Sequence, residues 1–302
     1  QGRSTLSAYL AALALCTPAQ TLTCGAEGPA CDIPEGSYRV ALPEGSPPEG
    51  GWPAMMFFHG AGGSGARTLG NTGMVEAFTA RGYVVLAPDG LPRPNSRFGP
   101  GWSFHPDFPQ RRDEVAFTRA VTAAAATRHG IDPDRLMLSG FSIGGSLVWY
   151  MACAAPDLAR AYAPVGGAFW RPHPTAEDCA GPLRMLHTHG WRDRVVPLEG
   201  RPLRDGAIYQ GDVFQGLDVL RQVNGCAGMR ADTFETEDAM WRRTWTACTP
   251  DTALTFLLHP GGHAVPQDWA PRAIAWYEEM PGDGGRERDH EDEAGGGGGG
   301  GG

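Results

Sequence analysis

The stretch that most constrains this 302-residue chain is Leu136-Met137-Leu138-Ser139-Gly140-Phe141-Ser142-Ile143-Gly144-Gly145. A short apolar run stops in Gly-x-Ser-x-Gly, and a helical pattern follows at once from Leu147 to Ala154. Strand, sharp turn and helix in that order lift a serine hydroxyl clear of a sheet. Backbone passes close to backbone on both sides of such a serine, so its neighbours must be small. Gly140 and Gly144 satisfy that demand, and Gly145 leaves room for the helix to pack. The start of a helix also favours negative charge, which a developing oxyanion needs. A small-residue turn that only packs a helix onto a sheet is the competing reading. The order of elements favours a nucleophile, Ser142.

The flanking sequence predicts the frame in which such a serine would sit. Ser37–Leu42 alternates like an edge strand, and Ala54–Phe58 is a continuous apolar run suited to a buried parallel strand. Met74–Arg81 reads as a helix ending at Gly82, Tyr83–Ala87 as a strand, and Asp113–His129 as a helix closed by Gly130. Between them, Leu91–Pro109 is a long loop carrying Trp102, Phe104 and Phe108, a length that is usually functional or disordered. Strands follow at Ala161–Val165, Leu183–Thr188 and Leu254–His259, with helices at Asp212–Val223 and Asp268–Met280. Cys226–Cys248 reads as an irregular, polar excursion. Strands alternating with helices imply an α/β fold, a mostly parallel sheet covered on both faces. No linker or internal repeat marks a second domain.

The ends read differently from the middle. Arg3, the apolar run Leu6–Leu15 and Thr17-Pro18-Ala19 read as an export signal over residues 1–19, too short to span a bilayer. Leu15 stands where a small residue precedes a lipidated cysteine, which favours cleavage over anchoring at Cys16. The folded catalytic domain is expected over 20–281, and an acidic, glycine-rich tail over 282–302. Six acidic and two basic residues lie between Asp283 and Glu293, so much of the net charge of −9 belongs to that tail. The acidic balance argues against nucleic acid or an anionic membrane as partner, and a monomer is expected.

Six cysteines remain after the signal, and an even count in an exported chain favours disulfides over thiols. Sequential pairing is expected: Cys24–Cys31, Cys153–Cys179 and Cys226–Cys248. No Cys-x-x-Cys supports a zinc site. His187 and His189 alternate on one strand and could share a metal, but no third ligand has suitable spacing. Neither a metal nor a cofactor is expected.

A serine hydroxyl is a poor nucleophile until an imidazole takes its proton, and the imidazole needs a carboxylate to orient it. Asp193 lies in the tight turn after the strand ending at Thr188, and His263 lies after the final strand, in a loop freed by Gly261 and Gly262. His259 still belongs to the strand and reads as structural. Two backbone amides should bind the oxyanion: that of Ile143, after the serine, and that of Ala61, with Gly62 as the fallback, in His59-Gly60-Ala61-Gly62-Gly63-Ser64-Gly65. The Lys-Ser/Thr ending of a phosphate loop is missing there. Trp102, Trp170 and Trp191 follow or lie in loops near strand ends and are candidates for a substrate groove.

With these motifs in place, the chain resembles the secreted polyhydroxybutyrate depolymerase and feruloyl esterase-like members of the α/β-hydrolases, from about Cys31 to Trp276. The resemblance rests on His59-Gly60, Asp113-Glu114-Val115-Ala116-Phe117, Asp134-Arg135 leading to Gly140–Gly145, Ala163–Gly167, His189-Gly190 with Asp193 and Val196-Pro197, and Gly262-His263 with Pro266. It implies a secreted serine esterase without a large lid, acting on hydroxyalkanoate oligomers or related polyesters through Ser142, His263 and Asp193. Feruloyl, acetyl-xylan and aromatic polyester esterases are the alternatives, and a non-catalytic binding protein or a serine peptidase on the same fold are other classes. Ile143 departs from the Asn or Ala common at its position, and its bulk would narrow the pocket. The lack of an appended polymer-binding domain favours soluble or short-chain esters.

Overall fold

The computed structural model describes residues 24–25, 28–93 and 98–280, so the expected signal (1–19) and the expected tail (282–302) lie outside the described residues. In chain order the elements are β1 (Cys31–Ile33), β2 (Gly36–Ala41), β3 (Trp52–Phe58), α1 (Gly65–Leu69), α2 (Thr72–Thr79), β4 (Val84–Pro88), α3 (Glu114–His129), β5 (Ile131–Phe141) and α4 (Ile143–Ala154). Then follow β6 (Ala161–Val165), β7 (Trp170–Arg171), β8 (Arg184–Gly190), β9 (Pro202–Leu203), β10 (Ile208–Gln210), α5 (Val213–Val223), β11 (Thr233–Glu237), β12 (Met240–Trp245), β13 (Ala253–His259) and α6 (Trp269–Glu279).

Ten strands form one sheet in the order β1-β2-β4-β3-β5-β6-β8-β13-β12-β11. The run from β4 to β13 is parallel, and the outer pairs at either end are antiparallel. Successive side chains of a strand point to opposite faces, so a strand covered on both sides must be apolar throughout. β3 shows this directly. Ala54, Met56 and Phe58 enter one core, with α3, α4 and α5, while Met55 and Phe57 enter the other, with α1, α2 and α6.

Local chemistry sets the ends of the helices. Asp113 caps α3 by accepting from the Ala116 amide at 2.9 Å, and Gly130 ends it in the left-handed region at φ 66°. Asp212 caps α5 by accepting from the Phe214 and Gln215 amides. Cys24–Cys31, Cys153–Cys179 and Cys226–Cys248 are bonded, the sequential pairing. The second of these ties α4 to the loop before β8.

The structure corrects two readings. Ser37–Leu42 is not an edge, because β2 pairs with β1 on one side and β4 on the other. Cys226–Cys248 is not irregular, because β11 and β12 form a hairpin that extends the sheet beyond β13. A small three-stranded sheet, β7-β10-β9, is also present.

Candidate active site

The C-terminal ends of the parallel strands gather the candidate residues. Ser142 follows β5 with φ 58° and ψ −122°, a conformation that L-residues rarely adopt, and its amide donates to Val165 O at 3.0 Å. Two glycines make this turn possible. A Cβ on Gly140 would lie 2.6 Å from Gly144 O, and one on Gly144 would lie 2.1 Å from Phe58 O. The serine therefore stands where β5, β3 and α4 approach too closely for any side chain on those neighbours.

Asp193 and His263 meet across two zipped loops. The Trp191 amide donates to His259 O at 2.7 Å and the Arg192 amide to Gly261 O at 2.9 Å. His263 Nδ1 lies 2.7 Å from Asp193 Oδ2, and the Val195 and Val196 amides each donate to Asp193 Oδ1 at 2.8 Å. Burial pushes the Asp193 carboxyl up, but the hydrogen bonds from His263 and the Val196 amide outweigh it and hold it below the ordinary value. An ionised acid accepts only, so His263 carries its proton on Nδ1 and leaves Nε2 as a base. The imidazole packs on Phe141, the residue before Ser142, with ring centroids 4.5 Å apart. Ser142 Oγ itself makes no hydrogen bond among the described residues.

The turn after β3 is held from behind. His59 Nε2 accepts from the Gly90 amide at 3.0 Å, so its proton is on Nδ1, which donates to Gly60 O at 2.7 Å. Burial holds this imidazole below its ordinary value, which keeps it neutral. Trp102 donates its indole N–H to His59 O at 2.8 Å, and the Gly62 amide donates to Pro100 O at 2.9 Å. The fallback amide is thus already engaged. The amides of Ala61 and Ile143 donate to nothing among the described residues.

More than half of the sequence, residues 46–204, matches the phospholipase/carboxylesterase family. The chain belongs to that family. NocK of Nocardia uniformis subsp. tsuyamanensis, whose name places it with esterases and states no substrate, is 28% identical over 252 residues, covering 76% of this chain and 70% of its own length. Feruloyl esterase B of Piromyces equi is 27% identical over 197 residues, 63% of this chain; the chain spans only 35% of that protein. A poly(3-hydroxyoctanoate) depolymerase of Pseudomonas fluorescens is 26% identical over 252 residues, 72% of this chain and 78% of that one. Among solved structures, an acetyl xylan esterase from Aspergillus awamori superposes with a TM-score of 0.63 at 14% identity, covering 82% of this chain and 97% of the other. The fold is that of the α/β-hydrolases, without a large lid among the described residues. The protein is a carboxylic ester hydrolase related to the feruloyl esterases and polyhydroxyalkanoate depolymerases, as the motifs implied.

The three tryptophans proposed for this esterase's groove do not form one cluster. Trp102 is 6% exposed, packs against Phe58 and His59, and backs the turn after β3 instead of lining a groove. Trp170 is half-buried against Phe104 and Phe108, while Trp191 is 56% exposed and meets Trp241 of β12. Sequence reasoning missed the role of Trp102 because a loop tryptophan carries no local sign that a carbonyl 43 residues away needs its N–H. A cavity of about 770 Å³ lies beside Phe104, Arg112, Tyr150 and Met151, and Ser142, Asp193 and His263 do not line it. Among the described residues one group, Cys24, Cys31 and His129, has metal-binding proximity, but its two cysteines are joined in a disulfide. His187 Nε2 lies 3.0 Å from His189 Nδ1, and among the described residues no third ligand joins them.

No described helix is long and apolar enough to cross a membrane.

Proposed function

We propose that this protein is an exported serine esterase that works through Ser142, His263 and Asp193 and an acyl-enzyme. The observation that carries the reading is the 2.7 Å pairing of ionised Asp193 with His263 Nδ1, which leaves Nε2 free to take a proton beside the strained Ser142 turn. His263 Nε2 removes the Ser142 proton as Oγ attacks the ester carbonyl. The Ala61 and Ile143 amides, both unengaged, stabilise the oxyanion. Collapse of the tetrahedral intermediate breaks the ester C–O bond, and the alcohol leaves with the proton from His263. Water then gives a proton to the same nitrogen, attacks the acyl carbon and frees the acid and Ser142.

Hydroxyalkanoate oligomers are the proposed substrates, a reading supported by the motif pattern and by the depolymerase relative. Feruloyl esters are the second reading, favoured by the Piromyces relative. Three disulfides support export, because such bonds persist in oxidising compartments. The test is turnover of p-nitrophenyl butyrate, methyl ferulate and 3-hydroxybutyrate oligomers, with Ser142→Ala as the control. Turnover of an ester that vanishes in the variant is expected, with oligomers preferred to ferulate. Substantial turnover by pure Ser142→Ala protein overturns the nucleophile, and a preference for ferulate overturns the substrate assignment.

A further inference from the structure

β8 carries two histidines that the proposed chemistry does not touch, and both are fully buried. Trp149, on α4, the helix that follows Ser142, donates its indole N–H to His187 Nδ1 at 3.3 Å. An indole nitrogen only donates, so His187 Nδ1 accepts and the His187 proton is on Nε2. That nitrogen lies 3.0 Å from His189 Nδ1, which accepts in turn. The His189 proton is therefore on Nε2, from which it is donated to Val196 O at 2.7 Å. One indole thus sets the tautomers of both rings.

The chain ends at the acid. His189 Nε2 is 3.6 Å from Asp193 Oδ2, the same oxygen that takes His263 Nδ1 at 2.7 Å. Two imidazoles therefore compete for one carboxylate. A positive His189 would neutralise Asp193 and repel the charge that His263 must accept from Ser142. The only lone pair through which His189 can gain a proton is on Nδ1, and the His187 N–H already occupies it. Moving the His187 proton to Nδ1 only transfers the clash to Trp149, whose N–H cannot reverse.

We propose that His187, held by Trp149, is a positioning residue that bars His189 from protonation, so that Asp193 serves a single imidazolium, that of His263. The inference rests on the triad reading above. The titratable groups facing His189 are His187 on β8, Asp193 in the loop that follows, His259 at the end of β13 and His263 in the loop beyond it. His187 faces His189, Trp149, the Pro164 carbonyl of β6 and the ring of Phe256, stacked at 5.8 Å. Burial holds both imidazoles below the ordinary range, against the hydrogen bonds to the Pro164 and Val196 carbonyls, which pull the other way.

Ring ¹⁵N–¹H spectra of the ¹⁵N-histidine-labelled protein test the arrangement directly. Both rings are expected to be neutral, with the proton on Nε2, between about pH 5 and 8, the range in which an unhindered histidine titrates. A proton on Nδ1 of either ring, or a positive His189 in that range, overturns the proposal. His187→Phe removes the blocking N–H, and His187→Gln restores a donor for His189 and an acceptor for Trp149. In the Phe variant the acid limb of kcat/KM for p-nitrophenyl butyrate should steepen from one proton to two, with a loss of about tenfold at pH 6 beyond any loss at pH 8. The Gln variant should keep the one-proton limb. A Phe variant whose kcat/KM falls by one factor at every pH shows a packing role only and overturns the proposal. The spectra need no turnover. Failure of Ser142 to react with a fluorophosphonate would therefore remove the triad reading while leaving the tautomers to be judged on their own.

Discussion

Asp193 divides its two oxygens between two tasks: Oδ2 holds His263 Nδ1 at 2.7 Å, and Oδ1 holds the Val195 and Val196 amides of its own loop at 2.8 Å each. The acid is oriented by its backbone before it orients the histidine. Asp193→Asn keeps the shape but replaces an acceptor with an amide that can donate toward His263, which favours the wrong tautomer. We expect kcat on p-nitrophenyl butyrate to fall by about 10³–10⁴-fold with unchanged circular dichroism. Steady-state kinetics on the variant check this, and a loss under tenfold would remove Asp193 from the triad.

Gly144 is the tightest point of the serine turn. Its Cβ, if present, would sit 2.1 Å from a strand carbonyl, Phe58 O, which cannot swing away as a flexible side chain can. Gly144→Ala should destabilise the fold by at least about 1–3 kcal/mol, the range for overpacking. It should also move the Ile143 amide. Urea midpoints and fluorophosphonate labelling rates are the measurements, and a variant equal to the native protein in both contradicts the geometry.

Arg112 and Glu114 form a nearly buried ion pair at 2.8 Å, and Glu114 also accepts from the Ser103 amide. Burial pushes the Glu114 carboxyl up, against the pull of Arg112. Arg112→Met strands a buried carboxylate and should cost about 3–5 kcal/mol, whereas Arg112→Met with Glu114→Leu should cost less than the single change. A double-mutant cycle in urea decides between them. Equal losses would mean that the pair is solvated.

Burial also lowers the imidazoles of His59, His105, His187 and His189, so they stay neutral in the fold but can take protons when unfolded. The unfolded state then binds more protons, and stability must fall as pH drops through the unfolded value of about 6.5. Urea midpoints at pH 7.5 and pH 5.5 should differ, with the acidic sample less stable. Equal midpoints would mean that these rings ionise alike in both states.

Much of the frame is legible because it is local. Short continuous apolar runs bounded by turn residues suit strands buried on two faces, and α3 shows its Asp113 cap and Gly130 stop in the sequence itself. The β11–β12 hairpin was not legible. Its turn places Asp238 and Ala239 at φ 47° and 64° without the Asn-Gly or Asp-Gly pair that signals such a turn, and all of β11 is exposed. β7, β9 and β10 are too short to carry a period.

The serine turn could be read from the chain alone, because close backbone approach demands glycine two positions to either side of Ser142, at Gly140 and Gly144. The sequence also marked Asp193 and His263 as loop residues after apolar strands. Folding alone brings these two, 70 positions apart, into one hydrogen bond, sets the Trp102 indole on His59 O, and places Trp149 on His187 and His187 on His189. The reason is physical. A buried donor or acceptor must find a partner, but the chain does not encode locally which distant group will supply it.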